Sequence, residues 1–91
     1  MLFVALGTPR TGGFAEGTKR RMEWQYPEGM RPIAEYWLQI PAPNVISVFE
    51  ADSAGPIMAI IAAWDDLFAW TVTPAVTAEE GLNMAAKMMQ G

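Results

Sequence analysis

The chain has 91 residues, the length of one domain, and a chain of this size buries roughly 60–65% of the surface that its unfolded form exposes. Hydrophobic residues make up 52% of it, with eight glycines in addition, above the about 45–50% that is usual even when glycine counts as apolar; this excludes disorder and leaves more apolar material than one small core can hide. Histidine and cysteine are both absent and the formal net charge is −4, which excludes disulfides, zinc–thiolate and His-ligated haem sites, and Ser-His or Cys-His nucleophiles.

A pI near 4.5 argues against a nucleic-acid partner, because such binding depends on Lys and Arg neutralising phosphates. The single basic run, Lys19-Arg20-Arg21, reads as a solvated helix face. No segment approaches the roughly 20 apolar residues that cross a bilayer, and Met1 to Leu6 lacks the basic start of a signal peptide, so no membrane partner and a cytoplasmic location are expected.

Met1 to Leu6 is a continuous apolar run closed by Gly7 and Pro9, which fits a central strand buried on both faces. From Phe14, the positions Phe14, Thr18 and Met22 recur every four residues and predict an amphipathic helix, weakened by Gly12, Gly13 and Gly17. After the turn-rich Pro27-Glu28-Gly29, Ile33 to Ile40 is aromatic and β-branched enough to read as a strand. Pro41 to Asn44 then supplies a hairpin turn into Val45 to Ala51, the strongest strand of the chain.

Asp52-Ser53 offers a cap for the next helix, in which Ile57, Ile60, Ile61 and Trp64 fall at i, i+3, i+4 and i+7. Phe68 to Thr73 alternates as a fourth strand ending at Pro74. Thr77 and Glu80 have capping-box spacing before a last helix with its stripe at Leu82, Ala85, Ala86 and Met89.

The order is β-α-β-β-α-β with an added C-terminal helix. It predicts an α+β, ferredoxin-like arrangement in one domain spanning residues 1–91. Two helices cover one face of a four-stranded sheet, so the other face, apolar on the central strands, is expected to meet a second copy in a homodimer. Phe3, Val48 and Phe49 are the candidate contacts.

The Pro27-Glu28-Gly29 connector, the Trp37 strand, Val48-Phe49-Glu50-Ala51-Asp52 running into a helix, Trp64-Asp65-Asp66-Leu67, Thr73-Pro74 and Glu79-Glu80 resemble, as an ordered set, a family of small ferredoxin-like domains of unknown function. That resemblance covers nearly the whole chain and implies the dimeric α/β barrel superfamily, in which two sheets pack face to face. The superfamily includes cofactor-independent monooxygenases, muconolactone-isomerase-like enzymes and haem-dependent proteins similar to chlorite dismutase, beside many binding members, so it does not fix a function. The absence of histidine departs from the haem members and from many of the monooxygenases.

Glu35 and Glu50 are each the sole charge in an apolar strand. If Pro41 to Asn44 is a four-residue loop, Ile40 faces Val45, Glu35 faces Glu50 and Trp37 faces Val48, and paired carboxylates would split their pKa values into an acid and a base. A register shift, or an ion pair with Arg10 or Arg31, would instead make them structural. Trp24, Trp37, Trp64 and Trp70 with Tyr36 are either the lining of a pocket for a flat ligand or simply core and interface.

Asp65-Asp66 reads as a helix-end turn and no metal site is expected; no cofactor is implied. The expected function is a dimer that binds a small apolar or aromatic molecule, or a protein partner, in a cavity between sheet and helices. The alternative is a cofactor-independent monooxygenase- or isomerase-like enzyme with Glu50 as base and Glu35 as its partner.

Overall fold

A computed structural model describes residues 1–90. The elements are β1 (Leu2–Pro9), α1 (Phe14–Glu23), β2 (Met30–Trp37), β3 (Val45–Ala51), α2 (Ala54–Trp64), β4 (Phe68–Ala75) and α3 (Ala78–Gln90). One antiparallel sheet runs β2-β3-β1-β4, so the two most apolar strands are the central pair. This is an α+β fold of the order βαββαβα, consistent with a ferredoxin-like arrangement.

Strand alternation sends one row of side chains to each face. Ala5, Phe49 and Ala51 point to the helix side and are almost wholly buried, with Met30 at the start of β2, Ile60 and Trp64 of α2 and Leu67 beyond it completing the core. Phe3 stacks on Phe49 with ring centroids 5.8 Å apart. Of the three residues expected at an interface, Phe3 and Phe49 therefore belong to the core; Val48, one position out of phase with Phe49, lies on the other face.

Gly7 and Pro9 do not end β1. The strand continues along the edge strand β4, where Gly7 pairs with Trp70 and Pro9 with Phe68. A Cβ on Gly7 would stand 2.9 Å from Trp70 Cζ3, so the glycine makes room for the indole that crosses it.

The β2–β3 hairpin differs from the four-residue turn expected. Pairing stops at Trp37, opposite Val45, and the loop is closed by Leu38 N–H donating to Asn44 O at 2.8 Å. Pro41 and Pro43 lack the N–H groups a ladder needs, so Leu38 to Ile40 leave the strand. At the other end, β2 starts at Met30, and an irregularity between Pro32 and Ala34 shifts the register around Ile33.

Helix α1 has the expected span but a different inner face. Phe14 and Met22 are about four-fifths exposed, while Gly17, Thr18, Arg20, Arg21 and then Trp24 turn inward. Two members of the basic run tie α1 to the body instead of facing solvent. Arg20 reaches Asp66 at 2.7 Å and the carbonyl of Ala63 at 3.1 Å, with its guanidinium over the Trp64 ring.

In α2 the expected stripe is the buried one, and Ser53 is the N-cap by position without a side-chain hydrogen bond. In α3, Thr77 Oγ1 accepts from Glu80 N–H at 3.1 Å, as the capping-box spacing predicted. None of the side chains of α3 is buried.

Candidate functional site

The helix-covered face of the sheet does not close completely onto α1. A cavity of about 600 Å³ remains between sheet, α1, α2 and the β2–β3 loop, within the ~300–1,000 Å³ usual for small-molecule sites. The glycines that weaken α1 are the ones that leave this space, since Gly12, Gly13 and Gly17 all line it. Gly12 holds φ at +105°, and a Cβ there would be 2.6 Å from Leu67 Cδ2, so this entry to the helix requires glycine twice over.

One wall is a continuous aromatic chain. Tyr26 meets Trp24 with centroids 6.4 Å apart, Trp24 meets Trp64 edge-on at 5.7 Å, Trp64 meets Phe68 at 6.2 Å and Phe68 meets Trp70 at 5.3 Å. Such offset and edge-to-face contacts fix ring planes as well as burying area. Trp24, Trp37, Trp64 and Trp70 line the cavity as the ligand reading requires. Tyr36 does not. It alternates with Glu35 and Trp37 along β2, so it points to the open face and is 59% exposed.

The polar part of the cavity centres on Glu35. Arg21 Nε donates to Oε1 at 3.0 Å and to Oε2 at 3.1 Å, Tyr26 OH donates to Oε1 at 2.8 Å and Trp37 Nε1 donates to Oε2 at 2.7 Å. Burial pushes this carboxyl up, but the hydrogen bonds from Arg21, Trp37 and Tyr26 outweigh it and hold the group below its ordinary value. Glu35 is thus a carboxylate at neutral pH. The Tyr26 phenol is raised by its burial and by donation to Glu35, with Ser47 acting the other way.

Glu35 and Glu50 do not come together. Across the hairpin Glu35 pairs with Ser47 and Glu50 pairs with Arg31, because β2 leaves the ladder at Trp37 rather than at Ile40. The two carboxylates therefore occupy opposite faces, and the expected acid–base couple is corrected to two separate ion pairs. Arg31 Nη2 lies 3.2 Å from Glu50 Oε2 and 3.5 Å from Asp52 Oδ1. The arginine alternative is what the hairpin builds, and Glu50 borders a shallow groove with Leu2, Pro74 and Val76 on the open side.

Three contributors to the cavity were missed from the sequence. Arg21 belongs to the basic run that reads as a solvated face, yet it falls three residues after Thr18 and four after Gly17, on the inward face. Ser47 is the one polar member of the inward row Ser47, Phe49 and Ala51, a signal that alternation alone provides. Tyr26 lies in a connector, and no spacing rule reaches it. Asn44 Oδ1 and Trp70 Nε1, both on cavity-lining residues, are buried with no hydrogen-bond partner among the described residues.

A family model described as a domain of unknown function (DUF3303) matches residues 1–89. No curated protein and no solved structure matches the chain.

Proposed function

The chain belongs to the DUF3303 family, and we propose that it is a dimeric small-molecule-binding protein that takes a flat, largely apolar or aromatic ligand between its sheet and its first two helices. The observation that carries this reading is the cavity of about 600 Å³, walled by four tryptophans and provided with one cluster of fixed polar groups at Glu35. A site of this kind binds through apolar area and orients through the few polar atoms. The test is titration with 2-ethylnaphthalene, followed by tryptophan emission. Saturable quenching that is lost when Gly17→Leu fills the cavity supports the reading, and no saturable change overturns it.

The homodimer rests on the open sheet face. Leu2, Val4 and Leu6 of β1 and Ile46 and Val48 of β3 form an apolar patch there, and Leu82 and Met89 of α3 add an exposed apolar stripe. Among the described residues, no helix is long and apolar enough to cross a membrane. The dimeric α/β barrel is the form that two such faces would make together.

The enzyme reading draws on Glu35 alone, the one carboxylate among the described residues on the cavity wall. It draws nothing from Glu50, which is paired on the other face. Hydrogen exchange at C1 of 2-tetralone in D₂O, lost in Glu35→Gln, would select it over simple binding.

A further inference from the structure

Arg21 spends only Nε on Glu35. Its terminal Nη1 and Nη2 meet no carboxylate or carbonyl oxygen among the described residues; the guanidinium is held in place by Glu35 and by the neighbouring Tyr26, whose ring centroid lies 5.6 Å from its central carbon. A fixed guanidinium with unspent N–H groups on a cavity wall calls for an acceptor oxygen. Glu35 cannot serve a ligand as an acceptor in the same way, since both of its oxygens already receive donors from Arg21, Tyr26 and Trp37.

Charge then narrows the class. Among the described residues, Arg21 and Glu35 are the only charged ones lining the cavity, and their charges cancel. A ligand bearing a full charge would be desolvated among aromatic rings with no opposite charge left to meet it, which is costly. A neutral acceptor meets no such cost and uses the open donors.

We propose that the ligand is an uncharged aromatic carbonyl compound whose oxygen is held by the terminal nitrogens of Arg21 while its rings lie against the tryptophan wall. This rests on the binding function proposed above. Glu35 acts here as a positioning residue, fixing the guanidinium through Nε and leaving the other nitrogens to the ligand.

The experiment compares three probes of nearly equal size on the full chain by tryptophan quenching and calorimetry: 2-acetonaphthone, 2-ethylnaphthalene and 2-naphthoate. The parent protein is expected to bind the ketone at least tenfold more tightly than the hydrocarbon and to bind the carboxylate more weakly than the ketone. In the double variant R21M/E35Q, which leaves no charge without its partner, the ketone's advantage over the hydrocarbon is expected to fall to about one. Equal binding of ketone and hydrocarbon by the parent overturns the carbonyl assignment but leaves the cavity reading standing, as does an advantage unchanged in R21M/E35Q. Tightest binding of 2-naphthoate overturns it in favour of an anionic ligand. No binding of any probe removes the cavity reading itself.

Discussion

Arg21 Nε lies 3.0 Å from one carboxylate oxygen of Glu35 and 3.1 Å from the other, across the gap between α1 and β2. This forked contact ties the inward face of α1 to the sheet, at the other end of the helix from the edge-on contact of Phe14 with Trp37. The Glu35 side chain is only 20% exposed, so the contact is shielded from water and salt more than a surface pair would be.

Glu35→Gln is therefore expected to destabilise the protein at pH 7 by about 1–3 kcal/mol, since it leaves a partly buried guanidinium without its anion. The sign of the pH dependence follows from the lowered carboxyl. Its stabilisation is complete above the ordinary value of 4.5 and is lost as pH falls from there through the lower folded-state value, while the glutamine variant shows no such loss from this position. Urea denaturation of both proteins between pH 7 and pH 3 checks it, and a stability difference that does not shrink on acidification contradicts the assignment.

Gly7→Ala is expected to cost about 1–3 kcal/mol by overpacking. The new Cβ would meet Trp70 Cζ3 at 2.9 Å and Phe68 Cδ1 at 3.3 Å, so the two rings must move. A shift in near-ultraviolet circular dichroism together with the lower stability is the expected outcome. Unchanged spectra and stability would mean that the indole does not cross β1 as described.

Phe49→Ala is expected to be the more damaging change, at about 3–5 kcal/mol. Phe49 is 1% exposed and stacked on Phe3 in the centre of the core, and its removal leaves a void continuous with the cavity it helps to line. The midpoint and slope of a denaturation curve measure it, and a loss under 1 kcal/mol would place the residue at a surface.

Val48→Asp should separate copies rather than unfold them. Val48 is on the open face, and the core of Ala5, Phe49, Ile60 and Trp64 lies behind the sheet on the helix side, intact in one chain. Sedimentation equilibrium is expected to give twice the chain mass of 10.0 kDa for the parent and the single mass for the variant, with unchanged far-ultraviolet circular dichroism. A parent that is monomeric at micromolar concentration removes the dimer.

Truncation after Thr77 tests α3 separately. Because α3 buries none of its own side chains, the shortened chain should keep the stability of the sheet and its two helices while its self-association weakens. Stability falling by several kcal/mol would show that α3 packs on its own body.

The strongly patterned elements were legible in the residues. The apolar run of β1, the alternation in β3, the i, i+3, i+4, i+7 stripe of α2 and the Thr77 to Glu80 cap each carry their own periodicity, which is a local property that survives without tertiary information. The order of those elements determined the sheet order β2-β3-β1-β4, because short connections and right-handed crossovers leave few ways to assemble them. Trp24, Trp37, Trp64 and Trp70 stood out as an aromatic load, but the sequence left open whether they line a pocket or fill core and interface; in the fold they line the cavity while Trp64 is also part of the core.

Only the tertiary structure decided which carboxylate belongs to the site. A strand's side chains change face with every residue, so three residues of Pro-driven departure from β2 and one irregularity at Ile33 sent Glu35 into the cavity with Ser47 and left Glu50 outside with Arg31. The same holds for α1. Its helical period was visible, but which face turns inward depended on what lay opposite, and a half-buried carboxylate on β2 drew Arg21 inward while Met22 stayed out and Phe14 kept only an edge-on contact with Trp37. Periodicity fixes how side chains are spaced on an element; the charges and voids of the neighbouring element fix which of them it keeps.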